Sequence, residues 1–409
     1  MTSTPSPELQ ALLAELEAAV RSGNRARARV LARELLERLD PEIAEHERLR
    51  ARVVALLVEL EDPPRSLEAP GKGLEVPLDR GTRGGGEPDG VVYPVWFGTN
   101  RTPDGAGGFG AERSRETTLG RALVFVPEAH RFGETGSSFW RRLLRFDLRD
   151  DRLRLQRVDR RTRAEFYAEL GEVMASGGRQ ALVYLHGFKN TFEDAAIRAA
   201  QIGFDLAVPG ATAFFSWPSK GTLAGYPADE ATIEASESAI ADFLVDFVAH
   251  CGAEKVHLVA HSMGNRGLLR ALQRIAANAE TRSAVRFGQI FLAAPDVDRD
   301  VFLDLAAIYP QFSERTTLYA SGADLAVRFS GRIHAAPRAG YFEPYTVVPG
   351  IDTVAVPDFD VDALGHGYFA QAEALLHDLY DLMRHSQAPP RQRMVEVMLD
   401  GQSFWRLRR

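Results

Sequence analysis

One serine in the sequence stands where an apolar segment meets a helical pattern. Ser262 follows the apolar run Val256–Ala260 and precedes Gly264, after which leucines recur at helical spacing. Small residues two positions before and after a serine, here Ala260 and Gly264, let a strand turn tightly into a helix and hold the hydroxyl clear of the sheet. The unpaired N–H groups at the start of such a helix favour negative charge beside the serine. The pattern predicts a nucleophile at Ser262.

A second motif, His186-Gly187-Phe188, ends another apolar run 76 residues before the serine. In enzymes with a serine in such a turn, the loop after this strand donates one backbone N–H to the oxyanion, and the residue after the nucleophile donates the other. We therefore expect the N–H groups of Phe188 and Met263 to form an oxyanion hole. His186 precedes the serine in the chain, and we expect it to brace this loop instead of acting as the base.

The general base should follow the serine, because the chain order in enzymes of this type is Ser, acid, His. His366 lies between two glycines, directly before the last predicted helix, and is the predicted base. His334 is the alternative. His377 and His385 fall inside the predicted helix, where a role in the core or at the surface is expected.

Two loops offer an acid to orient that histidine. Asp324 is the predicted acid. It follows the apolar run Thr316–Ala320, and enzymes of this type most often carry the acid after the corresponding strand. Asp296 and Asp298, which follow the run Gln289–Ala293, are the alternatives. The spaced carboxylates of this second loop do not make a calcium loop, because its sixth position lacks glycine and its twelfth lacks glutamate. No metal is predicted.

Two aromatic residues lie near the end of the run Ala211–Phe215. In a parallel sheet, ligands bind at the carboxyl edge of the strands. Trp217 is therefore predicted to line the substrate pocket, with Tyr226 in the loop that partly covers it. Packing of the aromatic ring within the core is the alternative.

From about residue 180 onward, short apolar runs alternate with amphipathic segments. Runs without polar alternation suit parallel strands covered on both faces, and the strand–helix alternation predicts a doubly wound, mostly parallel sheet. The predicted strands are 181–185, 211–215, 256–260, 289–293, 316–320 and 353–356, and the predicted helices lie near 192–207, 230–250, 263–277, 300–309 and 367–385. Three earlier runs, at 91–97, 122–127 and 143–148, could add antiparallel strands at one edge.

Four segments resemble an uncharacterised bacterial branch of the α/β hydrolases that is esterase- or lipase-like. They are VWFGTNR (95–101), YLHGFKNTFEDA (184–195), FFSWPSKG (214–221) and LVAHSMGNRGLL (258–269). The resemblance covers about residues 90–385. It implies the α/β-hydrolase fold and a Ser-Asp-His triad, and it leaves the substrate open.

The rest of the chain is organised around this domain, which we place at 91–385. Residues 1–62 carry three apolar stripes at helical spacing, which predict a helical N-terminal segment. Residues 63–90 are rich in Gly and Pro and are predicted to be a linker. Residues 386–409 are predicted to be a C-terminal tail. The N-terminal helices are expected to be a structural appendage, or to bind a protein partner or mediate self-association.

The composition narrows the functional class. A net charge of −7 argues against a nucleic-acid binder, which usually carries a basic excess. The single cysteine excludes an intramolecular disulfide and a zinc–thiolate cluster. The first residues lack a signal-peptide pattern, and we expect a cytoplasmic protein.

These residues predict a serine hydrolase that cleaves a carboxylic ester through an acyl-enzyme intermediate. No cofactor is required, and the expected substrate is a small-molecule or lipid ester. One alternative is a phospholipase or lipase that acts on membrane lipid. The other is an interaction protein on a hydrolase scaffold, which would not react with a serine-directed inhibitor.

Overall fold

A computed structural model describes most of the chain and divides it into two compact units. The described residues are 7–22, single positions between 24 and 56, 90–105, 107–127, 153–222, 225–321, 336–341, 344–356, 369–399 and 401–408. One unit is Met1–Gly85 with Thr222–Ala224, and the other is Gly86–Gly221 with Gly225–Arg409. No helix within the described ranges is long and apolar enough to cross a bilayer.

The N-terminal unit has its own apolar core. Helix α1 (Pro7–Arg21) buries Leu9 and Leu16, which lie on one helical face. They pack with the other buried members of this core, which are Ala19, Ala28, Leu31, Ala32, Leu35, Val53 and Leu56. The first predicted helix therefore forms, and much of the second and third lies outside the described residues.

The larger unit is built on a mixed sheet, and the predicted doubly wound architecture is confirmed. Its described strands are β1 (Gly90–Pro103), β2 (Phe109–Pro127), β3 (Arg154–Arg161), β4 (Gln180–Leu185), β5 (Gly210–Ser216), β6 (Lys255–His261), β7 (Phe287–Ala293), β8 (Ser313–Ser321), β9 (Ile351–Val356), β10 (Met394–Leu399) and β11 (Gln402–Leu407). They form one 11-stranded sheet in the order β10-β11-β9-β8-β7-β6-β4-β5-β1-β2-β3. The pairings from β11 across to β1 are all parallel.

Helices pack around this sheet because alternate strand residues point to opposite faces. The described helices of this unit are α2 (Arg163–Ser176), α3 (Phe192–Asp205), α4 (Tyr226–Ala235), α5 (Glu237–His250), α6 (Gly264–Ala277), α7 (Ala279–Ala284), α8 (Arg299–Leu305), α9 (Tyr309–Phe312) and α10 (Phe369–His385). On β5, Phe214 packs against Phe192 of α3, whereas the next residue, Phe215, packs against Phe243 of α5. The strand is thus covered on both faces, which is why its sequence is largely apolar.

Some elements differ from the sequence-based expectations. The predicted helix at 230–250 is two helices that meet at Ser236, whose buried hydroxyl donates to the Thr232 carbonyl oxygen at 2.8 Å. Residues 386–409 were expected to be a tail, and they contain the antiparallel pair β10–β11, which extends the sheet. The run at 143–148 lies outside the described residues, and β3 occupies the edge beside β2.

A buried polar cluster fixes the C-terminal region to the sheet. Arg391 donates to Asp378 on α10 at 2.6 and 3.0 Å, and to Asp352 on β9 at 2.9 Å. Tyr319 on β8 donates its hydroxyl to Asp378 at 2.6 Å. Since each carboxylate is paired and hydrogen-bonded, the cluster offsets much of the cost of burying charge. It ties the strand before residues 357–368 to the helix that follows them.

Candidate active site

Ser262 occupies a sharp, strained turn between β6 and α6. Its φ is +48°, in the left-handed region that side chains rarely adopt. Its N–H donates to the Ala293 carbonyl oxygen at 3.0 Å, and its own carbonyl oxygen accepts from the Asp296 N–H at 3.1 Å. Both partners belong to β7 or to the residues directly after it. Such strain persists only where neighbouring contacts hold it, and it is concentrated at functional sites.

Two neighbours of the serine explain how the turn is built. The Asn265 side-chain amide donates to the carbonyl oxygens of Ala260 at 3.0 Å and Ser262 at 3.1 Å, on either side of the bend. A Cβ added to Gly264 would lie 2.6 Å from the His186 carbonyl oxygen. Only glycine lets the start of α6 approach the end of β4 this closely. The small residue that the sequence motif requires after the serine therefore has a steric reason.

The Ser262 hydroxyl is buried, and its oxygen has no hydrogen-bond partner among the residues that the structure describes. A buried polar atom without a partner is uncommon and calls for an explanation. The nucleophile of a covalent hydrolysis needs a base within hydrogen-bond reach in the reactive complex. The described part of the chain does not supply that base.

The predicted oxyanion loop lies directly against the serine. A Cβ added to Gly187 would lie 3.0 Å from the Ser262 Cβ, so any larger residue would crowd the serine. Phe188 is buried, and its ring packs edge-on against Tyr226 with 5.1 Å between centroids. Met263, the other predicted donor, is also buried. The fold brings together the two motifs that the sequence separates widely.

His186 and Trp217 form a buried pair behind this loop. Their rings stack with 5.0 Å between centroids and an interplanar angle of 11°. The Trp217 indole N–H donates to the His186 carbonyl oxygen at 2.8 Å. Burial, reinforced by the nearby charge of Arg101, lowers the pKa of His186 to about 3. A neutral, enclosed imidazole suits bracing of the loop, as the sequence predicted.

Tyr226 and Asp296 join a polar cluster beside the serine. The Tyr226 hydroxyl donates to the Asp296 carboxylate at 2.6 Å, and an Arg266 nitrogen lies 3.4 Å from the same carboxylate. Arg338 approaches it at 3.6 Å, and both Arg338 and Asp296 are buried. Asp296, one of the alternatives for the acid, is therefore already engaged by two arginines and a phenol.

The second alternative for the acid, Asp298, has a role in secondary structure. It caps α8 by accepting the N–H groups of Asp300 at 3.0 Å and Val301 at 3.3 Å. Side chains of this type at a helix N-terminus satisfy N–H groups that the helix itself leaves unpaired.

The predicted acid and base, Asp324 and His366, lie outside the described residues, as does the alternative base His334. The strands that lead to them end at the same carboxyl edge of the sheet as β6, which leads to Ser262. Ala293 of β7 pairs with Tyr319 of β8, and Tyr319 pairs in turn with Val354 of β9. The chain therefore leaves β8 for Asp324, and β9 for His366, at the sheet edge that carries the serine.

Residues 162–384, more than half of the chain, match a family model described as "alpha/beta hydrolase of unknown function (DUF900)". The chain belongs to this α/β-hydrolase family. A solved structure similar to it is brefeldin A esterase, a bacterial homologue of human hormone-sensitive lipase, at 12% identity and a TM-score of 0.32 over 76% of this chain and 79% of that one. Among curated proteins, none matches.

Sequence reasoning missed several residues that organise the site of this hydrolase. Each of them is buried or half-buried and contacts a loop at the carboxyl edge of the sheet; they are Asn265, Arg266, Asn190, Ser216 and Asp229. The segment 95–101 was part of the family resemblance, but its sequence did not indicate what role its residues have in the site. In the described ranges, no group of three or more His, Cys, Asp or Glu is placed to hold a metal ion.

Three buried histidines should make this hydrolase sensitive to acid. Burial lowers the pKa of His186 and His261 to about 3 and that of His257 to about 4. Below pH 6.5 the unfolded chain binds protons at these histidines, and the folded chain does not until the pH nears the lowered pKa values. Protonation therefore favours the unfolded state, so the unfolding free energy is highest above pH 6.5 and falls as the pH drops toward 4. We expect each to lower the unfolding free energy by about 2 kcal/mol between pH 7 and pH 5.

Urea denaturation of wild type and His257→Gln at both pH values tests this expectation. Gln289 donates its N–H to His257 at 3.1 Å, and the glutamine side chain offers an acceptor without a titrating group. The variant should lose about 2 kcal/mol less than wild type over this pH interval. If the variant loses as much unfolding free energy between pH 7 and pH 5 as wild type does, the lowered pKa of His257 is contradicted.

Proposed function

We propose that this chain is a serine hydrolase that cleaves carboxylic esters through an acyl-enzyme. The observation that carries the proposal is the strained turn at Ser262 with the loop at Gly187 packed against it. A Cβ built on Gly187 would lie only 3.0 Å from the Ser262 Cβ. A strained serine turn beside such a loop supports the proposal, because acyl transfer requires a nucleophile next to backbone N–H donors.

In the proposed mechanism, His366 takes the Ser262 proton as the serine oxygen attacks the ester carbonyl carbon. The carbonyl oxygen becomes an oxyanion, which the N–H groups of Phe188 and Met263 stabilise. The imidazolium returns its proton to the leaving alcohol, and the acyl-serine remains. Water then attacks the acyl group by the same path, with His366 as the base, and releases the acid.

We assign the acid to Asp324 because the rival carboxylates serve other partners. Asp296 accepts the Tyr226 hydroxyl and lies beside Arg266, and Asp298 caps a helix. An acid that orients an imidazole must direct its negative charge at that ring. A carboxylate shared with arginines would supply less of this charge to the histidine.

The contacts of the two predicted pocket residues favour packing over a direct role in binding substrate. Trp217 is fully buried, with its indole N–H bonded to the His186 carbonyl oxygen. Tyr226 is 1% exposed, and its hydroxyl is bonded to Asp296. We propose that both support the walls of the site, and that residues nearer the solvent contact the acyl group.

A fluorophosphonate probe tests the proposed function directly. Wild type should form a covalent adduct, and mass spectrometry of the digested protein should locate it on Ser262. Ser262→Ala and His366→Gln should not be labelled, whereas His334→Gln and the exposed-site control Ser283→Ala should be labelled like wild type. A panel of chromogenic esters of increasing acyl length then gives the substrate preference.

Labelling distinguishes the enzyme from an interaction protein on the same scaffold. Absence of labelling in wild type that is folded, as judged by circular dichroism, would refute the proposal. Labelling on another serine would move the nucleophile.

A further inference from the structure

A buried arginine reaches the oxyanion loop through a chain of side chains. Arg101, at the end of the segment 95–101, is 1% exposed. Its Nη atoms donate to the carbonyl oxygens of Asn190 at 2.8 Å and of Ser219 and Gly110 at 3.1 Å. Within the described ranges, the hydrogen bonds of this guanidinium all go to uncharged oxygen atoms. The cation therefore serves backbone groups of the loops around the site instead of an ion pair.

The remaining nitrogen of this arginine starts a hydrogen-bond chain whose direction is fixed. Arg101 Nε donates to Ser216 Oγ at 2.8 Å, and Ser216 Oγ lies 3.3 Å from His186 Nε2. His186 Nδ1 lies 2.7 Å from the Gly187 carbonyl oxygen. Arginine only donates and a carbonyl oxygen only accepts. Because His186 is neutral, its proton sits on Nδ1, so Nε2 must accept the Ser216 hydroxyl proton.

The chain ends on the peptide unit that carries a predicted oxyanion donor. The Gly187 carbonyl and the Phe188 N–H belong to one planar trans peptide, so they point in opposite directions. The Gly187 oxygen accepts from His186 and from the Asn190 amide at 3.1 Å. Glycine at 187 leaves this peptide free to rotate, since it lacks a Cβ. The two bonds to the carbonyl oxygen therefore decide where the Phe188 N–H points.

We propose that Arg101, Ser216 and His186 form a relay that holds the Gly187–Phe188 peptide in the orientation that binds the oxyanion. This inference rests on the proposed function. The three side chains are positioning residues, because they act on the reacting atoms through the peptide. The arrangement gives the motif 95–101 a task in catalysis, although β1 lies two strands away from β4 in the sheet.

The test removes the middle of the relay with Ser216→Ala. This variant keeps the Phe188 N–H but loosens its orientation. The loss in kcat should therefore be smaller than the 10²–10³-fold seen when an oxyanion donor is deleted. We expect kcat for a chromogenic ester to fall about 10–100-fold, with KM within threefold of wild type. The inhibition constant of a trifluoromethyl ketone, which forms a tetrahedral oxyanion on serine, should rise by a factor similar to the loss in kcat.

Two further variants separate positioning from general stability. Ser313→Ala removes a buried hydroxyl that is bonded to Tyr309 and Thr316 near the start of β8, and it should lower the melting temperature without changing kcat. Ser216→Thr keeps the hydroxyl and should restore kcat to within a fewfold of wild type. If Ser216→Ala does not fold, Arg101→Lys, which lacks the Nε–H group, is measured by the same criteria.

The outcomes distinguish this inference from the proposed function. A kcat for Ser216→Ala within twofold of wild type would overturn the relay, as would a fall in kcat without weaker binding of the ketone. In either case fluorophosphonate labelling of Ser262 in wild type would still support the serine hydrolase. Failure of wild type to label would remove the basis of both.

Discussion

Ser262→Ala should reduce ester hydrolysis by about a millionfold in kcat, by analogy with nucleophile deletions in other serine hydrolases. The stability should change by no more than about 1 kcal/mol, because within the described residues the Ser262 hydroxyl oxygen has no hydrogen bond to lose. Alanine can adopt the same positive φ at a cost similar to that of serine. Hydrolysis of a chromogenic ester and urea denaturation measure the two quantities.

This combination of results is specific to a nucleophile. A residue that only supports the turn would lower stability along with activity, as expected for Asn265, which bonds both sides of the bend. Activity above a few per cent of wild type in Ser262→Ala would show that another group attacks the ester.

The two candidates for the acid should give opposite results when each is replaced by asparagine. Asp324→Asn should lower kcat by about 10⁴-fold, because the imidazole loses its orienting charge. Asp296→Asn should leave kcat within about tenfold. It should lower the unfolding free energy by roughly 1–3 kcal/mol, since Arg266 and Arg338 lose a buried carboxylate but keep Glu230 and Asp298 as partners. Steady-state kinetics and urea denaturation of both variants test the assignment.

The reverse pattern would move the acid to the loop after β7. A loss of 10⁴-fold in Asp296→Asn, with Asp324→Asn near wild type, is the result that contradicts the choice made above. Asp298→Asn is the control for that loop, because asparagine also caps helices and the change should be nearly silent.

The central strands could be predicted because they are covered on both faces. Val256–Ala260 and its neighbours are mostly apolar, and that pattern is typical of a buried parallel sheet. Strand β3 escaped prediction, since it contains several arginines and lies at the open edge of the sheet. The β10–β11 pair was missed for a related reason, because much of it faces solvent.

The turn at Ser262 could be predicted because its signal is local. The residues that shape the turn at Ser262 lie within a few positions of it, and the loop at Gly187 carries its own motif. The contacts of Arg101 join residues 89 to 118 positions apart in the chain, apart from one to Gly110. Nothing in the adjacent sequence distinguishes this arginine from the exposed ones, so its role depends on the tertiary structure.

The cluster around Arg391 has a consequence for how the site can diversify. Asp352 precedes residues 357–368 and Asp378 follows them, and one guanidinium bonds to both carboxylates. The elements on either side of residues 357–368, the connection that carries His366, are thereby fixed to each other whatever the sequence of that connection. The entropy of closing a loop rises only slowly with its length, by about 0.6 kcal/mol for each doubling. Insertions and deletions in this connection should therefore cost the fold little and leave the sheet unchanged.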